Sequence, residues 1–490
     1  MSVSTAAADQ SVCTPLPVLG RDVTVPLVTG GEVTYAALDY AASAPALQRV
    51  WDDVAAYAPY YGSVHRGAGY LSQLSTDLFE NSRKAVAEFL GCRLEGDSGE
   101  SRSNKGGGGG RREGDQVIFT RSTTDSLNLL AAVLPADCQV FVFETEHHAS
   151  LLPWRDARVT YLNAPRTPAQ AVETLERALA DRDPSPSSQL RSSRGGPTSP
   201  ALVCVTGASN VTGELWPVKE LAAAAHAHGA RIVLDAAQLA PHHPVDIEEL
   251  DVDWVAFSGH KLYAPFGSGV LAGRADWLQD AEPYLAGGGA SRKVARRTDG
   301  GVDVEWHSTA ARHEAGSPNV IGVYSIASAC KALTEAGFDR LVAREQQLVT
   351  RVREGLAEVP QVKVLSLFGD DAPRVGVISF VVEGWNSSHF AAALSAEYGI
   401  GVRDGLFCAH PLVRTLLGSD PQDPGECGAP EAEPGERSLN AIRVSFGAGT
   451  PDEHIERFVR AVKELVSKGA QWTYRTEDGR CVPDRGAAQV

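Results

Sequence analysis

Between residues 116 and 258, five short apolar runs alternate with helical stretches: QVIFT at 116–120, then 139–144, 201–206, 231–235 and 254–258. Each run is too short for a helix of ordinary length, and its Val, Ile and Phe content suits a strand buried on both faces. The stretches between them carry helix signals. One spans 123–134, and another spans 217–228 with Pro217 at its start and Gly229 just past its end. Such alternation admits few folds, because parallel strands need crossovers that pack back onto the sheet. The expected architecture is α/β, a mostly parallel central sheet flanked by helices.

Beyond Pro318 the order changes to helices at 320–336 and 338–359, a strand at 375–382, a helix at 388–398, a strand at 442–446 and a terminal helix at 451–468. That pattern predicts a smaller C-terminal α+β domain. The chain therefore divides into an N-terminal segment at 1–35, expected to be partly disordered, a large α/β domain at 36–318 and a small domain at 319–490. Segments 96–112 and 183–200 are rich in Gly, Ser and Pro, and 418–437 is acidic and Pro-rich. They bury too little apolar surface to offset chain entropy and read as loop insertions.

A formal net charge of -16 argues against non-specific binding to nucleic acid or to an anionic membrane surface. No apolar run is long enough to span a bilayer, and the first residues lack a basic segment followed by an apolar one, so the expected location is the cytoplasm. The eight cysteines lie scattered, with no C-x-x-C pair and no zinc-like spacing, so no metal is expected and the thiols read as reduced.

In FSGHKLYAPFGSG, at 257–269, Lys261 stands directly past a strand and before a turn. An amine there is either a solvated turn residue or a nucleophile held in a preset loop for covalent catalysis. Other polar residues also fall at strand ends, where ligands of open α/β sheets collect. Asp235 ends RIVLD, 26 residues before Lys261, and could be a helix N-cap or the partner of a protonated ring nitrogen. Thr123 and Thr124 open the helix after QVIFT, as an N-cap region or as an anion site. His147 follows another strand, as a loop histidine or as a ring that stacks on a cofactor. A phosphate anchor, a stacking ring, an acid and a lysine in this order would surround one flat, anionic, aldehyde-bearing molecule.

Taken together, LDYAASAPAL (38–47), VHRGAGYLS (64–72), FTRSTTDSLNL (119–129), ETEHHASLLPW (144–154), SNVTGELWPV (209–218), LDAAQLAPH (234–242), FSGHKLYAPFGSGVL (257–271), RHEAGSPN (312–319), VRDGLFCAHPL (402–412) and IRVSFGAGT (442–450) resemble class V of the fold-type I enzymes that use pyridoxal 5'-phosphate (PLP). Within that class they look like the cysteine desulfurase and selenocysteine lyase branch. The resemblance runs in order from about residue 36 to the last helix. It implies that Lys261 links covalently to PLP, Asp235 pairs with the ring nitrogen, Gln238 bonds the ring oxygen and His147 stacks on the ring. Thr123, Thr124, Ser258 and His260 would hold the phosphate, with Ser317 of the partner subunit, so a homodimer is implied. Asn210 and Arg443 would grip the substrate carboxylate, and His65, Arg66 and Arg403 would line the substrate side.

The resemblance makes Cys408, in VRDGLFCAHPL, the catalytic thiol beside Lys261 and His147, with Arg403 and His410 as cations that would favour its reactive anion. The implied reaction converts L-cysteine to L-alanine and leaves the sulfur on Cys408 as a persulfide, to be passed to a sulfur-acceptor protein. The chain departs from the branch at two points. Leu406 and Phe407 stand where histidines usually precede the cysteine, and Gly447, Ala448, Gly449 and Thr450 stand where a tyrosine–asparagine–threonine element is usual. The alternative is another class V activity on an amino acid (aminotransferase, lyase or epimerase) with Cys408 not catalytic.

Overall fold

The computed structural model describes residues 14–65, 67–94, 114–182, 199–419, 440–477 and 479–484. Arg66, segment 96–112 and almost all of segments 183–200 and 418–437 lie outside the described residues. Each of the five apolar runs forms a strand, and two more join them. In chain order they are β1 (Asp115–Thr120), β2 (Gln139–Phe143), β3 (Arg158–Leu162), β4 (Ala201–Thr206), β5 (Arg231–Asp235), β6 (Trp254–Ser258) and β7 (Gly269–Arg274). They make one seven-stranded sheet in the order β1-β7-β6-β5-β4-β2-β3. The pairs β2–β3, β2–β4, β4–β5 and β5–β6 are parallel, whereas β7 runs antiparallel to both of its neighbours. The apolar runs end up in the interior because both faces are covered, and Val203, Cys204, Leu234, Val255 and Phe257 are essentially inaccessible to solvent.

The covering helices include α1 (Tyr70–Phe89), α2 (Thr123–Ala132), α3 (His148–Leu151), α4 (Val218–Ala227) and α5 (Val320–Ala336). Pro217 is the N-cap of α4, and Gly229 just beyond it has φ +69°, a left-handed residue where glycine carries no penalty.

After α5 the chain continues through α6 (Phe338–Ala357), β8 (Val362–Val364), β9 (Val377–Val382), α7 (Ser387–Tyr398), β10 (Arg403–Gly405), α8 (His410–Leu417), β11 (Ala441–Ser445) and α9 (Asp452–Lys468). The four strands form an antiparallel sheet in the order β8-β9-β11-β10. Its core joins Leu348 and Val352 of α6, Phe380 of β9, Phe390 of α7, Val444 of β11 and Phe458 of α9. Ala36 and Leu38 belong to the same core, and Ala36–Ala37 pairs in parallel with Ile400–Gly401 as a separate two-stranded sheet, so this N-terminal stretch packs with the second sheet's core.

The chain does not end on α9, as the sequence reading expected. A hairpin follows, β12 (Tyr474–Glu477) with β13 (Arg480–Pro483), and β13 packs against α7. The buried Glu397 carboxylate of α7 holds it, accepting from the Gln471 and Trp472 N–H groups and from the Tyr474 hydroxyl. No helix among the described residues is long and apolar enough to cross a membrane.

Candidate active site

Strand ends of the large sheet and one edge of the small sheet enclose a cavity of about 1700 Å³. At one end lies the start of α2. Ser122 caps it by accepting from the Asp125 N–H at 3.3 Å. The Thr123 N–H donates to Ser258 Oγ at 2.7 Å, and the two hydroxyls are 2.8 Å apart. A Cβ at Gly269 would sit 2.7 Å from the Ser122 backbone, so only glycine at the start of β7 lets the helix end close over the strand that carries Ser258. Thr124 and His260 also line the cavity. Hydroxyls gathered at a helix N-terminus form a site for a multiply charged anion.

Asp235, at the end of β5, is buried and accepts from Ser150 Oγ at 2.6 Å and from the Ala237 N–H at 2.9 Å. Both donors are neutral, and the nearby cation on which Asp235 acts is the Lys261 amine. Lys261 follows β6 in a turn in which its N–H donates to the Ser258 carbonyl. Burial first, with the charge of Arg443 adding to it, lowers the Lys261 amine to about 8 against the opposing pull of Asp235. His147 caps α3, its Nδ1 accepting from the Ala149 N–H at 3.0 Å, which leaves Nε2 as the protonated nitrogen of the neutral ring. Burial first, then the charge of Lys261, push its pKa down to about 3, so the ring stays neutral at physiological pH. The Gln238 amide donates to the Ala41 carbonyl at 2.8 Å on the same wall.

Arg443, in β11, is buried. Nη1 donates to the Asn210 carbonyl at 3.0 Å and Nη2 pairs with Asp39 at 2.9 Å, while Nε has no partner among the described residues. Its guanidinium lies 4.9 Å from the centre of the Phe407 ring. The Asn210 side chain donates to the Phe407 carbonyl, and the His148 N–H donates to the Cys408 carbonyl. These two bonds tie the loop after β10 to the large sheet. Within that loop Phe407 and Cys408 have φ +53° and +54°, and the Ala409 N–H closes on the Leu406 carbonyl. Two left-handed central residues make a type I′ turn, which normally takes Gly or Asn. Phe407 is buried beneath Arg443, and Cys408 is exposed to the cavity. Arg403 also lines the cavity, opposite Arg443 in the sheet register.

Thus Lys261, Asp235, Gln238, His147, Thr123, Thr124, Ser258, His260, Asn210, Arg443, Arg403 and Cys408 share one cavity. His65 and Ser317 do not line it: His65 pairs with Glu80 on the surface, and Ser317 is exposed. Arg66 lies outside the described residues. Sequence reasoning missed Ser150 and Asp39, both within quoted stretches, since one more serine or aspartate carries no signal until its partner is known.

The donor set suits a flat, anionic aldehyde on a pyridine ring. It offers an anion site at one end, a buried acid, a neutral ring to stack and an amine of lowered pKa. The residues present fit PLP.

The sequence profile of the aminotransferase class-V family matches residues 36–96 and 110–458. Cysteine desulfurases of Salmonella newport and Salmonella agona are each 32% identical over 418 residues, covering 82% of this chain and 90% of the relative. Among solved structures, the apo cysteine desulfurase of Thermococcus onnurineus NA1 aligns with TM-score 0.70 at 28% identity, over 88% of this chain and 95% of that one. A cysteine desulfurase from Escherichia coli, in an S-sulfonic acid form, aligns with TM-score 0.67 at 27% identity over the same shares. The expected fold-type I architecture is borne out.

Proposed function

This chain belongs to the aminotransferase class-V family, whose enzymes depend on PLP, and from that premise we propose that it is a cysteine desulfurase. The observation that carries the reading is the exposed Cys408 thiol, on a strained turn in the wall of the cavity that also holds Lys261, Asp235 and Arg443.

When bound, PLP supplies an electron sink that weakens bonds at the amino-acid α-carbon and beyond it. Lys261 would hold the cofactor and move the proton of the α-carbon, and the burial that lowers its amine to about 8 favours the neutral form a base needs. Asp235, oriented by Ser150, stabilises the protonated ring nitrogen. His147 would cover one ring face, Gln238 would bond the ring oxygen, and Thr123, Thr124, Ser258 and His260 would hold the phosphate. Arg443, which lines the cavity beside Asn210, would bind the substrate carboxylate. The Cys408 thiolate then attacks the substrate sulfur: an S–S bond forms, the C–S bond breaks with its electron pair left on the β-carbon, and protonation there together with return of a proton to the α-carbon from Lys261 completes alanine.

The same reading makes the enzyme a cytoplasmic homodimer, with Ser317 of the partner subunit at the phosphate and a sulfur-acceptor protein taking the product sulfur. The exposure of Ser317 suits that role. The test is incubation of the purified holoenzyme with L-cysteine under non-reducing conditions. Alanine should form with one added sulfur on Cys408 by mass spectrometry. Cys408→Ala should keep the cofactor's visible absorption and release almost no alanine; a variant that turns over as fast as wild type sinks the reading in favour of another class V activity.

A further inference from the structure

Three of the four residues in the turn at 406–409 are buried. Leu406, Phe407 and Ala409 join Leu412 and Val413 of α8 in a small apolar cluster, and Cys408 alone is exposed. The left-handed backbone of Phe407 and Cys408 is unfavourable for both, so the surroundings must hold it. Asn210 does so on one flank, through the Phe407 carbonyl. On the other flank stand two histidines that the mechanism leaves unused.

His148 is the first residue of α3, and His410 is the first of α8. The His148 N–H donates to the Cys408 carbonyl at 2.8 Å. The His148 ring lies 4.6 Å, centre to centre, from the His410 ring, tilted by 59°. Both residues are half-buried, and neither ring pairs with a carboxylate among the described residues. A proton on His410 would sit at the positive end of α8, one turn from Arg414, and a proton on either ring would face the other. Burial first, and then the charge of His410 for His148 and of Arg414 for His410, hold both below the ordinary histidine value. His410 is therefore a neutral contact at physiological pH, not the cation that the sequence suggested.

We propose that His148 and His410 are positioning residues for the Cys408 thiol, a paired-ring clamp on the flank of its turn; this rests on the desulfurase reading given above. His147, which lines the cavity, and His148, which holds the turn, are adjacent, so one short segment sets both the stacking wall and the thiol. The clamp weakens in one direction of pH. Because both pKa values are lowered, the contact is complete above the ordinary histidine value of about 6.5 and is lost as pH falls, when two positive rings repel. The other charged groups about the turn are Arg403 and Asp404 of β10, Arg443 with its partner Asp39, and Lys261. None of them pairs with either ring.

The test begins with a first turnover of the holoenzyme on L-cysteine, with sulfur on Cys408 followed by mass spectrometry. His148→Ala keeps the backbone bond and removes the ring. That variant and His410→Ala should each slow the first sulfur transfer by on the order of 10- to 100-fold, with the KM for cysteine and the cofactor's visible absorption held. His410→Phe restores a flat ring that attracts a proton on His148 rather than repelling it, so it should recover most of the lost rate. A second readout needs no turnover. Amide-exchange protection factors at His148 and Ala409, whose N–H groups close on the Cys408 and Leu406 carbonyls, should fall in wild type between about pH 7.5 and 5.5 and hold in His410→Phe. Alanine variants that transfer sulfur as fast as wild type overturn the clamp and leave the desulfurase reading standing. Protection that is flat in wild type, or that falls equally in His410→Phe, overturns it as well. If wild type places no sulfur on Cys408, the desulfurase reading fails and the clamp loses its role with it.

Discussion

Lys261 shows what a reactive amine does to the protein that holds it. Burial lowers its pKa to about 8, so below that pH the folded chain keeps a cation where it is poorly solvated. The unfolded chain binds that proton more tightly, so stability rises with pH between the folded value and the ordinary lysine value. In the cofactor-free protein, Lys261→Met should therefore be more stable than wild type at pH 7, by on the order of 1–3 kcal/mol. The difference should shrink as pH climbs from 8 toward 10, which denaturant titration at several pH values would read; an equal gap throughout would count against burial as the cause. Ser150 makes a subtler contribution, through its 2.6 Å hydrogen bond to Asp235. A hydrogen bond to a charged group contributes about 1.5–3 kcal/mol, so Ser150→Ala should weaken cofactor binding or kcat/KM by roughly 10- to 100-fold. Equilibrium binding of PLP to the apo variant is the direct measurement.

At the scale of elements, the turn at Phe407 and Cys408 sets two effects against each other. Phe407→Gly would relieve a left-handed residue, worth about 1–2 kcal/mol, but would remove a buried ring, worth about 3–5 kcal/mol. Packing wins: the variant should lose about 2–3 kcal/mol in denaturant unfolding and raise the KM for cysteine, because Arg443 loses the ring beneath it. The C-terminal hairpin depends on one carboxylate. Glu397→Ala should increase amide hydrogen exchange across 474–483 by about tenfold or more while β9 and β11 stay protected. The sequence showed these elements unevenly. β4, β5 and β6 were legible because a strand buried on both faces is a continuous apolar run. β7 was hidden because its residues continue the loop after Lys261, and β3 because it is an edge strand with a largely exposed pattern. The hairpin was missed although Asp478-Gly479, a hairpin-turn dipeptide, stands between polar strands of low apolar content. In the site, the family's strand-end positions brought Lys261, Asp235 and Cys408 into one cavity, whereas the bonds of Ser150 and Asp39 join residues far apart in sequence and leave no local pattern.

At the scale of the molecule, Tyr61 and Tyr70 are exposed at 54% and 72%, with Leu71 and Tyr60 also exposed, and Gly62 lies against the Leu71 backbone. An apolar patch of that kind marks an association surface. With the proposed homodimer, sedimentation should give a dimer for wild type and a shift toward monomer in the Tyr61→Asp, Tyr70→Asp double variant; a wild-type monomer with full PLP-dependent activity would contradict shared sites. The pairing of Ala36–Ala37 with Ile400–Gly401 carries a different consequence, one of time. The partners are 400 minus 36, or 364, residues apart, and ribosomes add about 5–20 residues per second. An emerging chain thus carries its unpaired N-terminal strand for about 20–70 seconds before its partner exists. The last strand of the seven-stranded sheet, ending at Arg274, has been synthesised well before then. Arg443, which pairs with Asp39, is synthesised later still, so no chain that stops short of it carries the guanidinium proposed to grip a substrate carboxylate.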